Sequence, residues 1–316
     1  MSTAEERAGV SLTNLDQPLF DGADATKRDL VDYLDAVRDR IIPVLADRPL
    51  SVIRSLRGQA PFMQKNLPKY TPEWVPRVAQ WADASKREVS YGLCNDRRTL
   101  LWFANQRAVE YHPTLFTVGD SAHPTCLVLD LDPPGDAAFD LVVRTAHLVR
   151  QALADSGLAG AVKTSGAKGV HVFVPIDAQA GTEDIAAATR ALAARAERLD
   201  PELATTAFIK DDRHGKVFVD STRAGSGTVA AAYSPRLRPG VPVSFPVSWA
   251  DLDRVSPAVF TVRTAVGLLG DGDPWAEQLP APQALPADVI AEGHTIPIAR
   301  VQAMHEGKRR ARARRE

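Results

Sequence analysis

The sequence predicts an α/β (α+β) fold in two lobes built on a mixed sheet. Two observations carry that prediction. Residues 125–219 run strand, helix, hairpin, helix and strand, the order of a layered α/β unit. Residues before about 115 read differently, as a helix, a short strand and a proline-rich loop, and the change of pattern after His112 sets a boundary between lobes that pack as one unit. With 316 residues, 45% of them hydrophobic, the chain can bury a substantial core in one large domain or two intimate ones.

Taken in order, residues 11–25 are an irregular entry. Thr26 and Asp29 have capping-box spacing, and Leu30, Leu34, Val37 and Ile41 then recur at helical intervals. Residues 50–53 read as a short strand. Residues 58–76, with four prolines, are mainly loop, and a helix follows over 96–108. Residues 125–131 form an apolar run of strand length, halted by Pro133-Pro134. A helix over 139–154 puts Val142, Ala146, Val149 and Leu153 on one face. Strands over 161–164 and 170–174 flank the loop Ser165-Gly166-Ala167-Lys168-Gly169. An alanine-rich helix covers 183–199, and 216–219 is a further strand. Beyond Trp275 the chain is proline-rich, then carries a short helix, then a basic tail.

Composition narrows the class. No run of eighteen apolar residues exists, so no membrane span and no membrane partner are expected. The N-terminus lacks a basic segment followed by an apolar one, and the two cysteines, Cys94 and Cys126, are expected to be reduced, which points to the cytoplasm. The formal net charge is −1, but it is unevenly spread: residues 308–316 hold six basic side chains and one acidic one. Such a tail attracts phosphate electrostatically or serves as a solubilising end.

The chemistry centres on Asp130-Leu131-Asp132. On a strand, alternate side chains share a face, so the two carboxylates project together while Leu129 and Leu131 point to the core. Carboxylates this close repel, and one takes up a proton unless positive charge lies between them. A hard divalent ion with oxygen ligands meets that need. Residues 216–220 are a second apolar strand ending in an aspartate. If the two strands are neighbours, Asp220 completes a set of three carboxylates. Three carboxylates can bridge two metals about 4 Å apart, the arrangement for in-line displacement at phosphorus. The loop from Ser165 to Gly169 adds glycines for a tight turn, a hydroxyl and the Lys168 ammonium, a combination suited to a triphosphate. His171 follows on the strand, on the face opposite Val170 and Val172. Arg213 and Arg236 are candidate bidentate phosphate contacts, and His112 is a candidate for the same site.

The ordered set Asp130-Leu-Asp132-Pro-Pro, Thr164-Ser-Gly-Ala-Lys-Gly-Val-His171, Val217-Phe-Val-Asp220 and Ala232-Tyr-Ser-Pro-Arg236 closely resembles the polymerase domain of bacterial ligase D, in the archaeo-eukaryotic primase superfamily. Leu12-Thr-Asn14, Thr26-Lys27, Pro61-Phe-Met-Gln-Lys65-Asn66 and Glu110-Tyr-His112-Pro resemble landmarks of the same family, so the likeness covers about residues 11–275. It implies a two-lobed primase-polymerase fold whose central mixed/antiparallel sheet carries catalytic aspartates. Residues 1–114 would be a lobe contacting DNA, 115–275 the catalytic lobe, and 276–316 an extension with the basic tail. The resemblance implies that Asp130, Asp132 and Asp220 bind two manganese or magnesium ions. It further implies that His112, Ser165, Gly166, Lys168, His171, Arg213 and Arg236 hold a ribo- or deoxyribonucleoside triphosphate. Asn14, Gln17, Lys27, Phe62, Lys65 and Asn66 would contact gapped or broken DNA. The activity implied is template-dependent nucleotidyl transfer at short gaps or ends, with ribonucleotides favoured, at the bacterial nucleoid.

Three departures bear on substrate choice. Gln17 stands where the family's pocket for a downstream 5′-phosphate has a lysine, and an amide lacks charge-assisted strength. Residues 221–228 are about one residue short and lack the usual Asn and Lys. Met63 replaces the second member of a phenylalanine pair, leaving template stacking to Phe62. No Lys-x-Asp-Gly element is present, so the expectation is a stand-alone polymerase with a separate ligase and end-binding protein as partners. Two other readings compete. The Asp130-x-Asp132 pair also resembles the nucleophile motif of haloacid-dehalogenase-type phosphatases, but Pro133-Pro134 occupies that family's turn. A DNA-end binder without activity is opposed by the three intact aspartates.

Overall fold

The computed structural model describes residues 5–82, 86–135, 138–224, 227–298 and Met304; the basic tail at 308–316 lies outside them. Two large sheets organise the described residues, beside a two-stranded ribbon of Glu5–Arg7 and Val10–Leu12. The first has six strands in the order Ala204–Thr205, Val217–Asp220, Cys126–Asp132, Val170–Pro175, Ala161–Thr164 and Pro246–Val247. All neighbours in it are antiparallel except the first pair, which is parallel, so the sheet is mixed as expected. Leu127, Leu129, Leu131, Val170, Val172 and Val174 are fully buried on one face. They share a hydrophobic cluster with Val142, Ala146, Val149 and Leu153 of the helix Phe139–Asp155. The helix Thr182–Leu199 packs beside that helix, and Ala287–Thr295 closes on it so tightly that a Cβ on Gly293 would meet the Ala187 carbonyl oxygen at 1.8 Å.

The second sheet has five strands: Phe62–Gln64, Leu50–Arg54, Arg87–Gly92, Arg77–Ala82 and Ala108–Pro113, the last paired with Leu50–Arg54 across a bulge at Ile53/Arg54. The hairpin of Arg77–Ala82 and Arg87–Gly92 has no counterpart among the expected elements: its apolar residues do not mark one buried face, since Val89 is buried while Trp81 is exposed. The helix expected from Leu30, Leu34, Val37 and Ile41 is two helices, Lys27–Ala36 and Arg38–Leu45, parted at Val37. All four residues remain fully buried, since the break preserves their spacing. The capping box at Thr26 and Asp29 is present on both sides.

One hydrophobic cluster runs through both halves, from Val10 to Val289. A buried hydrogen bond also joins them, the Tyr33 hydroxyl donating to the Tyr233 carbonyl at 2.8 Å. Cys94 and Cys126 are free thiols. Among the described residues, no helix is long and apolar enough to cross a membrane.

Candidate active site

Strand register assembles the centre. Asp220 lies opposite Asp130, Asp130 opposite His171, and His171 opposite Lys163, so four adjacent strands contribute one residue each to a single row. Directly opposed residues on one face have Cβ atoms about 4.5–5.5 Å apart. Asp132, opposite Phe218, ends its strand just before Pro133.

The row is electrostatically strained. Burial and then the negative charges of Asp130 and Asp220 push the Asp132 carboxyl up to about 6. Burial alone would raise Asp130 as well, but the adjacent His171 and Arg223 hold it below the usual carboxylate range. A divalent cation would relieve this crowding, and the donor set is all oxygen, which suits magnesium or manganese. Among the described residues, however, no group of three or more His, Cys, Asp or Glu side chains already has ligating geometry. The carboxylates are turned to other partners. Asp220 Oδ1 accepts from the Thr222 N–H at 2.7 Å, and Arg223 Nε is 3.5 Å from Asp220 Oδ2 and 3.8 Å from Asp130 Oδ2. Arg223 therefore belongs to the site, though the sequence reading passed over it within the shortened segment 221–228.

The loop beside the row is tied from within. Ser165 N–H donates to the Gly169 carbonyl at 2.9 Å, and the Ser165 hydroxyl oxygen accepts from the N–H groups of Ala167 and Gly169 at 3.1 Å each. Its proton stays available for a ligand. Gly166 has φ +67°, and a Cβ there would meet Ser244 N at 2.7 Å; a Cβ at Gly169 would meet the Leu131 carbonyl oxygen at 2.1 Å. Lys168 is exposed near the tip.

Arg236 links this loop to the other sheet. It donates to the Ser165 carbonyl and, through Nε, to Glu110 Oε2 at 2.9 Å. The same carboxylate accepts from His112 Nε2 at 2.8 Å and from the Leu237 N–H at 2.8 Å. Burial would raise the Glu110 carboxyl, but these partners hold it at about 2. An ionised carboxylate only accepts, so His112 carries its proton on Nε2, and its Nδ1 offers a lone pair. Burial lowers the pKa of this imidazole, outweighing the pull of Glu110, and so favours its neutral form. Glu110, known from the sequence only as part of the Glu110-Tyr-His112-Pro landmark, is the hub. The signal was there: an acid in the apolar strand Ala108–Pro113, on the same face as His112, cannot be buried without partners. Arg213 stacks 3.8 Å over the Phe218 ring and donates to the carbonyls of Ala207 and Phe208. Its charge bears on Asp132 across the register pair.

The residues expected to face DNA are less uniform. Phe62 and Met63 are exposed on the edge strand Phe62–Gln64, Lys65 is exposed beside them, and the Asn66 side chain accepts from the Ser90 N–H. Asn14 is exposed with φ +54°. Lys27 departs from expectation. It is 3% exposed, and its ammonium donates to the Thr13 carbonyl and Asn105 Oδ1 at 2.6 Å each, while burial lowers its pKa to about 8. Gln17 instead lines a cavity of about 840 Å³ together with Asp21, Arg57, Arg107 and Arg238. Three side-chain bonds from Arg107 hold the carbonyls of Ser55, Pro18 and Leu19. Its Nη1 is buried with no hydrogen-bond partner.

The family of the LigD primase-polymerase domain matches residues 26–275. A bifunctional non-homologous end joining protein LigD from Bacillus subtilis is 32% identical over 287 residues, covering 89% of this chain and 46% of that protein. A multifunctional non-homologous end joining DNA repair protein LigD from Mycobacterium tuberculosis is 34% identical over 265 residues, covering 80% of this chain and 34% of its own length. The chain thus spans between a third and a half of these relatives. Among solved structures, the polymerase domain of Mycobacterium tuberculosis ligase D in complex with DNA superposes with a TM-score of 0.78 at 31% identity, covering 87% of this chain and 98% of that one.

Proposed function

The chain belongs to the LigD primase-polymerase domain family, and we propose that it is a template-dependent nucleotidyl transferase extending primer 3′-hydroxyls at short gaps or broken DNA ends. The observation that carries this reading is the register row that brings Asp220 and Asp130 opposite each other beside the Ser165 loop. Asp130, Asp132 and Asp220 would hold two manganese or magnesium ions, which supply a Lewis acid for the attacking hydroxyl and the leaving pyrophosphate.

The chain's own groups do the rest. The Ser165 hydroxyl, Lys168 and Arg236 would orient the triphosphate, with Arg213 beside Asp132 adding positive charge. His171 would donate from Nε2 at the edge of the carboxylates. The His112 Nδ1 lone pair suits a donated hydrogen bond from a ribose 2′-hydroxyl, which supports a preference for ribonucleotides. Exposed Phe62 can stack on a template base. Residues 1–114 would then be the DNA-facing lobe and 115–275 the lobe that performs transfer. A downstream 5′-phosphate would be met by the arginines around Gln17 rather than by Lys27. The names of the relatives place them in end joining, and the same role is proposed here, with a ligase and an end-binding protein as partners.

The test is extension of a primer on a gapped duplex, with and without a downstream 5′-phosphate, using ribo- and deoxyribonucleotides with manganese. Asp130→Ala with Asp132→Ala is expected to abolish extension while DNA binding persists. Robust extension by the double variant overturns the assignment, and DNA binding without extension by the unmodified chain favours a non-catalytic end binder.

A further inference from the structure

Lys163 takes no part in the reaction as proposed, yet it is fully buried in the middle of the strand Ala161–Thr164. Burying an amine there is costly unless its hydrogen bonds are satisfied. Lys163 Nζ lies 2.7 Å from His171 Nδ1 and donates to Ser244 Oγ. The Ser244 hydroxyl spends its own proton on the Thr164 carbonyl at 2.9 Å, so towards Lys163 it can only accept. On the other side of the imidazole, Nε2 is 3.3 Å from Asp130 Oδ1. A carboxylate has no proton to give. One tautomer satisfies both ends: the proton sits on Nε2, facing Asp130, and Nδ1 accepts from Lys163.

We propose that Lys163 is a positioning residue that, by donating to Nδ1, holds His171 in the Nε2–H tautomer that Asp130 also requires. His171 then presents a hydrogen-bond donor, not a lone pair, to Asp130 and the phosphates beside it. With a donor there, His171 cannot serve as a metal ligand through Nε2. Instead it orients the Asp130 carboxylate from behind, as an outer partner orients a ligand. The lock is built into the sheet, because Lys163, His171 and Asp130 are register partners on three adjacent strands. Ser244, itself fully buried, holds the far end. The catalytic consequence rests on the polymerase reading; the tautomer does not.

Two measurements separate these. Nitrogen-15 NMR of histidine-labelled protein, with His171 assigned by His171→Gln, reads the tautomer directly. Nε2–H is expected in the unmodified chain and in Lys163→Gln, whose amide can still donate. In Lys163→Met the Nδ1 lone pair loses its donor, so the Nδ1 resonance should move downfield towards that of an unbonded nitrogen, while Asp130 keeps the proton on Nε2. In primer extension Lys163→Met should lower kcat by about tenfold or more, the scale of losing one buried hydrogen bond, with primer affinity retained; its thermal midpoint should also fall, because His171 Nδ1 and Ser244 Oγ both lose their donor. Lys163→Gln should recover most of that loss. An Nδ1–H tautomer in the unmodified chain overturns the proposal. So does an unchanged Nδ1 resonance in folded Lys163→Met. If Lys163→Met does not fold, the unmodified chain and Lys163→Gln decide by the same signal. Absence of extension by the unmodified chain refutes the polymerase reading alone and leaves the tautomer result standing.

Discussion

At the six-stranded sheet, Asp220, Asp130, His171 and Lys163 hold matched positions on four adjacent strands; at the N-terminal face, Asn14 and Gln17 lie in irregular chain and Lys27 at a helix start. The first arrangement is set by backbone hydrogen bonds, which leave each side chain one face and one neighbour. The second leaves a long side chain free to choose its partners, and Lys27 turns inward to Thr13 and Asn105. Residues in register have their neighbours fixed by the strands, whereas a residue outside them, such as Lys27, can spend its charge on the fold. Around Gln17 the positive charge belongs to Arg57, Arg107 and Arg238, which no motif marks.

The sharpest way to break the register-built half is to remove its link to the other sheet. Glu110→Ala leaves Arg236 and His112 facing a buried void, and a loss of about 3–5 kcal/mol is expected from the uncompensated charge, read by denaturant unfolding. The same carboxyl predicts a pH limb. Held at about 2 against an ordinary 4.5, it binds fewer protons folded than unfolded. Its contribution is complete above pH 4.5 and is lost as the pH falls from 4.5 towards 2. Glu110→Gln should flatten that limb, and an unaltered acid limb would remove Glu110 from the account.

A smaller effect is expected at the turn. Gly169→Ala forces a methyl against the Leu131 carbonyl, for a cost of roughly 1–3 kcal/mol by overpacking and a displaced Ser165 loop. Its thermal midpoint should drop and its apparent KM for nucleotide should rise. A stable variant with normal KM would show that the loop is not held against the strand.

The smallest effect sharpens the loop-built half. Arg57→Ala or Arg238→Ala should reduce the advantage of a downstream 5′-phosphate in gap binding by a few-fold, on the order of 1 kcal/mol for one exposed charge. Lys27→Met should lower stability more than it lowers that advantage. The opposite ranking would return the phosphate contact to Lys27.

Much of the candidate site was legible because its residues follow strand arithmetic. Asp130 and Asp132 could be put on one face from alternation alone, and His171 opposite its valines likewise, whereas Asp220 joined them only if its strand was a neighbour. Glu110 and Lys163 stand in motifs without a role that the motifs reveal, and Ser244 and Arg223 carry no local signal. Each acts through a partner remote in the chain, or in the case of Arg223 through a turn, and no local period reports that. The hairpin of Arg77–Ala82 and Arg87–Gly92 escaped for a related reason, since its outer strand exposes Trp81 and only a few of its residues, such as Val89, are buried.

The sequence by itself determined the α/β layering, the strand ends that carry aspartates and the family, because hydrophobic period and motif order are properties of neighbouring residues. The tertiary structure decided which groups share a proton or a charge: Glu110 between His112 and Arg236, Lys163 behind His171, Lys27 spent on the fold. Those pairings depend on burial and distance between strands far apart in the chain, and only the closed sheets supply either.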